Sequence, residues 1–196
     1  METKNIMKRS LDIAINILRK AVRGLNDKSS EKKLHRRCAS LAKDCIVEIG
    51  VMNGDTTKIL LEAADEGCCV VGIDPLMPDP TNGNIGSRDK IRNLEAAHGN
   101  FLFIKDYSYH VAAYWKSKID YLFVDADHSY QAVTRDFLDW LPHVKRGGYI
   151  ALHDSAFGLG GGGCCPGPTR LAKELMKDKR VKYITTARSI TLFKKW

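Results

Sequence analysis

The stretch Glu48-x-Gly50-x-x-x-Gly54 closes an apolar run and opens onto Asp55-Thr56-Thr57, and it has the residue types of a nucleotide cradle. Gly50 and Gly54 let backbone approach a ligand where a Cβ would clash, with Met52 and Asn53 carried on the same turn. A helix starting beyond them, at Thr56, presents free N–H groups to that ligand. The spacing departs from the Gly-x-Gly-x-x-Gly that guards a pyrophosphate, so it points away from a nicotinamide dinucleotide. Acids and histidines then follow later apolar segments, as Ile73-Asp74, Asp106-Tyr107-Ser108, Val124-Asp125-Ala126-Asp127-His128 and Leu152-His153-Asp154-Ser155. Asp74 stands about 20 residues past the glycine turn, where a carboxylate can accept both hydroxyls of a ribose. Asp106 and Ser108 are candidates for the adenine end of a nucleoside. Buried carboxylates are costly without partners, so acids at four strand ends indicate a ligand site rather than core packing.

The elements that must position these residues alternate. Strands are expected at 45–49, 69–74, 101–105, 121–125, 149–153, 181–185 and 190–194, and helices between them at 56–66, 88–98, 109–115, 130–144 and 169–177. Leu11, Ile15, Leu18 and Val22 space a helix ahead of these, and 34–43 makes a second. Strand and helix in alternation predict a parallel sheet covered on both faces. Loops at 75–86 and 155–168 follow strands, on the edge where open α/β sheets hold ligands. The run Gly160 to Gly163 with Cys164-Cys165-Pro166 reads more simply as a surface loop than as a thiol-bearing lid.

With 196 residues, 44% of them hydrophobic and 28% charged, the chain supports one domain with a substantial core. No apolar run approaches the roughly 20 residues that span a bilayer, and the basic amphipathic start lacks a signal-peptide core, so a cytoplasmic protein without membrane partners is expected. Six cysteines without a Cys-x-x-Cys pair read as reduced thiols. The net charge of +8 raises nucleic-acid binding. Its basic residues, however, gather at 4–23, 28–37 and 173–182 beside apolar residues at helical spacing and read as solvated helix faces. Aromatics that could stack on bases are not interleaved with them, which argues against a nucleic-acid partner. Ile6, Ile13 and Ile17 on the first helix would suit a homodimer contact.

The order of Glu48, Gly50 and Gly54, Asp74, Asp125, the Gly147-Gly148 turn and His153-Asp154 resembles the class I S-adenosylmethionine-dependent methyltransferases. Tyr121-Leu122-Phe123-Val124-Asp125-Ala126-Asp127-His128-Ser129-Tyr130, running on through Asp136, Trp140, Pro142 and Gly147-Gly148, is similar to the macrolide sugar O-methyltransferase branch and its small relatives. The resemblance covers about 45–194. It implies a single Rossmann-like, doubly wound, mostly parallel seven-stranded sheet with helices on both faces. An amino-terminal helical cap at 1–44 would precede a cofactor-binding methyltransferase domain at 45–196.

The resemblance also implies roles. Glu48, Gly50, Met52, Asn53, Gly54 and Thr56 would surround the methionine part of S-adenosyl-L-methionine, Asp74 would hold its ribose, and Asp106 and Ser108 would lie near the adenine, with Asp125 also against the cofactor. In metal-dependent members an acid at the place of Asp125 and a pair at the end of the fifth strand bind magnesium, which here gives Asp125, His153 and Asp154. Histidine departs from the acid pair of the sugar enzymes and suits manganese, iron or zinc better than magnesium. His128 takes the place of the sugar enzymes' histidine and would be the general base. With an ordinary pKa of about 6.5 it is mostly neutral at pH 7, so it needs no special burial for that work. The expected function is methylation of a hydroxyl on a small-molecule acceptor, assisted by a divalent metal such as magnesium or manganese. Two other readings stay open: a module that binds the cofactor without turnover, and an RNA methyltransferase that uses the basic helices.

Overall fold

The strand β1 (Cys45–Ile49) is buried at all five positions, as expected of a central strand covered on both faces. The computed structural model describes residues 28–78, 83–156 and 165–196. Cys45, Val47 and Ile49 pack into one apolar layer and Ile46 into the other, the period of two that a strand imposes. The chain order is α1 (Lys28–Leu41), β1, α2 (Asp55–Ala63), β2 (Cys69–Ile73), α3 (Arg88–Ala97), β3 (Phe101–Ile104), α4 (Ser108–Tyr114) and β4 (Ile119–Val124). It continues with α5 (Tyr130–Trp140), β5 (Val144–Leu152), α6 (Pro166–Leu175), β6 (Val181–Ala187) and β7 (Ile190–Lys195). The sheet has seven strands in the order β3-β2-β1-β4-β5-β7-β6. All neighbours are parallel except β7, which runs antiparallel to both β5 and β6.

Each face of the sheet is covered. Residues of α1, α2 and α3, among them Cys38, Ala39, Leu60 and Ile91, bury one face. Residues of α4, α5 and α6, among them Val111, Phe137, Trp140 and Leu171, bury the other. The expected doubly wound architecture therefore holds, and its strand order reverses between β1 and β4, the crevice where such sheets take ligands.

Several boundaries differ from the sequence reading, each for a local reason. The helix expected from residue 34 begins at Lys28, with Glu31 in a first turn where a carboxylate complements the helix dipole. The helix expected at 130–144 is capped by Ser129, which accepts from Ala132 N, and it ends at Trp140, just ahead of Pro142, which has no N–H with which to extend the helical ladder. The fifth strand begins at Val144 rather than Tyr149: its first residues already pair with β4, and Gly147 (φ 82°) falls within the strand. The helix expected from residue 169 starts at Pro166, a residue whose fixed φ suits a first turn.

Burial pushes the Cys38 and Cys45 thiols up to about 12, so they are inert core residues. Among the described residues no helix is long and apolar enough to cross a membrane. The helix expected around 11–22, with Ile6, Ile13 and Ile17, and the run from Gly160 to Cys164 lie outside the described residues.

Candidate active site

The parallel ladder carries its register past the strand ends, which sets the polar residues side by side. Gly50 N donates to Ile73 O (2.9 Å), Asp125 N to Ile49 O (2.8 Å), His153 N to Val124 O (3.0 Å) and Asp74 N to Ile104 O (3.2 Å). Asp74, Gly50, Asp125 and His153 therefore line one carboxyl edge in sheet order. A Cβ on Gly50 (φ 90°) would stand 2.0 Å from Asp125 O, so the glycine is required by contact between the ends of β1 and β4.

The turn beyond Gly50 is held from both sides. Asp74 Oδ2 accepts from Val51 N and Met52 N, both at 2.8 Å, and Oδ1 accepts from Leu76 N at 2.6 Å. Three of a carboxylate's roughly four lone-pair sites are thus engaged by backbone. Met52 takes a left-handed φ of 52°, and Asn53 Oδ1 accepts from Ser87 N at 3.2 Å, tying the turn to the start of α3. Gly54 (φ 78°) caps α2. Glu48 points off the buried strand to accept from Thr57 Oγ1 at 2.5 Å. Burial pushes its carboxyl up to about 8, against the opposing effect of the Thr57 bond, so it is largely protonated at neutral pH.

On the other side of the crevice, two acids and two histidines converge. His128 Nε2 lies 3.4 Å from Asp125 Oδ1 and 3.7 Å from Asp154 Oδ2. His153 Nδ1 lies 3.0 Å from Asp125 Oδ1 and 3.6 Å from Asp154 Oδ2. Burial alone would lower the His153 pKa, but the two carboxylates outweigh it and raise it to about 10. The bond to Asp125 raises that of His128 against the effect of burial, so the ring departs from the ordinary value expected from the sequence in the direction that favours its imidazolium. Asp125 in turn is held below the usual carboxylate range because its two histidines outweigh its burial. Asp154 adopts a left-handed φ of 45°, a strained conformation for a residue with a Cβ and one often found at functional sites. Ser155, by contrast, is fully buried and donates to Leu152 O at 2.6 Å, so its hydroxyl is turned into the structure.

Cys165 joins this cluster from the start of α6, its Sγ 3.7 Å from Asp154 Oδ2. Two triads of possible metal-ligand atoms result, Asp125–His128–His153 and His128–Asp154–Cys165, each with its atoms within 4.8 Å of one another. A carboxylate, imidazole and thiol set of this kind can hold a divalent ion or move a proton.

Asp106 and Ser108 are engaged elsewhere. Asp106 accepts from Tyr107 N at 2.7 Å and pairs with His110 Nδ1 at 2.8 Å. Ser108 Oγ donates to the buried Asp136 of α5.

Residues 47–155 match the model of a family described as a methyltransferase domain. The chain belongs to that family. The resemblance to class I S-adenosylmethionine-dependent methyltransferases seen in the sequence therefore holds. An uncharacterized protein of Acanthamoeba polyphaga mimivirus is 33% identical over 113 residues, 55% of this chain and 50% of that protein. The chain thus spans about half the length of that relative. The same fold is seen in the O-methyltransferase TomG of Streptomyces achromogenes, solved with SAM (TM-score 0.61, 17% identity, 87% of this chain and 82% of that one). It is seen as well in an rRNA methylase of Streptococcus thermophilus (TM-score 0.57, 13% identity, 83% and 94%). Identities this low establish the fold and leave the acceptor to the residues of the site.

The structure also brings to this edge residues that the sequence reading did not single out. Thr57, not Thr56, meets Glu48. Cys165 reaches the acids although its neighbours read as a surface loop. Glu31 and Ser189 meet although 158 residues separate them. Of these, only the threonine had a local signal, its place in the first turn of a helix behind the glycines.

Proposed function

We propose that the chain is an S-adenosylmethionine-dependent methyltransferase that acts on a hydroxyl of a small-molecule acceptor. The observation that carries this reading is the convergence of His128 with Asp125 and Asp154 at 3.4 and 3.7 Å, across the switch-point crevice from the Gly50–Gly54 turn. On this reading the cofactor's methionine end lies at Glu48, Gly50, Met52, Asn53, Gly54 and Thr56. Its ribose lies at Asp74 and its adenine towards Asp106 and Ser108.

The chemistry needs one base and one approach line. Neutral His128 takes the proton of the acceptor hydroxyl, and the oxygen attacks the sulfonium methyl in line. The S–CH₃ bond breaks as the O–CH₃ bond forms, leaving S-adenosylhomocysteine, a methyl ether and a protonated His128. Asp125 and Asp154 steady that imidazolium. The ligands proposed from the sequence, Asp125, His153 and Asp154, would bring two carboxylates and one imidazole to a divalent ion, with Cys165 3.7 Å from Asp154, although both close donor triads also include His128. An imidazole and a thiol among the donors match a manganese- or zinc-class ion better than magnesium, which favours an oxygen-only set. When bound there, such an ion supplies Lewis acidity that lowers the acceptor's pKa.

Calorimetric titration with S-adenosylmethionine and S-adenosylhomocysteine tests the cofactor assignment, followed by transfer of labelled methyl to a panel of hydroxylated small molecules and to RNA. Binding of both nucleosides with label in a small-molecule ether supports the reading. Label appearing only in RNA replaces the acceptor class, and binding without any transfer leaves a non-catalytic module.

A further inference from the structure

The far nitrogen of His153 faces away from the acid cluster, and its surroundings are as specific as those of the near one. Nε2 lies 3.2 Å from Ser189 Oγ, in the turn between β6 and β7. That hydroxyl donates to Glu31 Oε1, and Ser189 N donates to the same oxygen at 3.0 Å. A serine hydroxyl has one hydrogen. Once it is committed to the Glu31 carboxylate, Oγ can only accept from the ring, so Nε2 must carry a hydrogen. Nδ1 is then the nitrogen presented to Asp125 and Asp154, at 3.0 and 3.6 Å.

We propose that Ser189 and Glu31 are positioning residues of the site: a hydroxyl–carboxylate pair that keeps the Nε2 hydrogen of His153 in place and leaves its Nδ1 on the side of the acids. The assignment rests on reading the Asp125–His128–His153–Asp154 cluster as the reactive centre. It holds whether the ring is imidazolium or neutral imidazole, since Nε2 keeps its hydrogen in both. Outer hydrogen bonds of this kind commonly fix the orientation of histidines at reactive and metal-binding centres.

The surrounding contacts fit this work. Burial alone would raise the Glu31 carboxyl, but the two Ser189 bonds and Arg188 outweigh it and hold the group below its ordinary value, so it stays an ionised acceptor. Arg188 Nη1 lies 3.2 Å from Glu31 Oε2. Ser155 N donates to Ser189 O at 2.9 Å, docking the turn on the residue that follows Asp154. A clamp joining α1 to the hairpin would need only the Arg188 and backbone bonds. The 3.2 Å approach of Ser189 Oγ to the ring is the contact that such a clamp leaves unexplained.

The test is nitrogen-15 NMR of the full chain at neutral pH, reading the ring nitrogens of His153 and the exchange lifetime of its Nε2 proton. The signal is assigned by its loss in His153→Gln. The wild type is expected to show a protected Nε2 proton. Ser189→Ala and Glu31→Ala are expected to speed its exchange about tenfold, the effect of losing one ordinary hydrogen bond. Ser189→Thr, which keeps the hydroxyl, should restore the wild-type lifetime. An unchanged His153 signal in a folded Ser189→Ala protein overturns the proposal, and so does a rapidly exchanging Nε2 proton in the wild type, even should Ser189→Ala fail to fold. Titration of the same samples with S-adenosylhomocysteine keeps the two readings apart. A wild type that binds no cofactor sinks the functional reading while leaving the His153 result intact.

Discussion

A Cβ placed on Gly167 would stand 2.2 Å from the carbonyl oxygen of His128. The first turn of α6 therefore lies directly on the loop that carries the proposed base, and this contact also brings Cys165 over Asp154. Gly167→Ala forces the two backbones apart. The expected cost is roughly 1–3 kcal/mol, typical of overpacking at a close approach. Denaturant unfolding measures it, and a variant as stable as wild type would show that α6 can slide without penalty.

Asp74 offers a separable test of the cofactor end. Hydrogen bonds to a charged group contribute about 1.5–3 kcal/mol, so Asp74→Ala should weaken S-adenosylhomocysteine binding by at least about tenfold. The same change frees Val51 N, Met52 N and Leu76 N, so the melting temperature should fall as well. Unaltered affinity in a folded Asp74→Ala protein would move the ribose to another group.

His35 provides acid sensitivity. Its ring is buried, edge-on to Phe123 at 4.5 Å with Nδ1 3.0 Å from Tyr121 Oη, and burial first of all pushes its pKa down to about 4. The unfolded chain takes up a proton near pH 6.5, which the native ring resists until about 4. The stability from neutral His35 is thus complete above about 6.5 and lost as pH falls to about 4, by up to roughly 3 kcal/mol. Unfolding free energies measured across that window should slope accordingly, and His35→Leu should flatten the slope.

Asp136 works in the opposite direction. Burial raises its carboxyl from 3.8 to about 6, against the effect of the Ser108 bond, so the native state favours the proton. Its contribution is complete below about 3.8 and lost as pH rises through about 6. Asp136→Asn keeps an acceptor for Ser108 without a charge. It should stabilise the protein by about 1–3 kcal/mol at pH 7 and by little below pH 4, as read from thermal melts at the two pH values. Equal effects at both would show that folding does not shift the titration of Asp136.

Metal preference follows from the donor set. Titration of metal-free protein should show tighter binding of zinc or cobalt than of magnesium. The cobalt form should show a sulfur-to-metal absorption band that Cys165→Ser removes. Magnesium binding with no such band would assign the cluster to oxygen donors alone.

The carboxyl edge was legible because parallel strands buried on both faces read as continuous apolar runs, and the first polar residue after each run marks its end. Asp74, Asp125 and His153 were found in that way. Pairings across the chain leave no such mark. Glu31 reads as one more charge in a polar helix start, and Ser189 as an ordinary turn residue, until the sheet order sets the β6–β7 hairpin against α1. Thr56 and Thr57 could not be told apart without the start of α2, since only the helix phase decides which hydroxyl faces Glu48. Cys165 was obscured by its glycine-rich neighbours, and it is Gly167, through packing rather than pattern, that brings it to the acids.

The position of β7 between β5 and β6 bears on the order in which the chain can fold as it is made. β6 leaves the ribosome before the strand that connects it to the rest of the sheet, so it must wait, with Tyr183 and Ile184 on its surface, until residues 190–195 follow. Ser189 and Thr191, which hold the end of β5 through Ser155, arrive in that same late segment. The glycine turn and both aspartates can be in place before residue 189 is made, but His153 acquires its outer partner only when Ser189 follows. A nascent chain halted before that hairpin would display most of the crevice with its central histidine still free to turn.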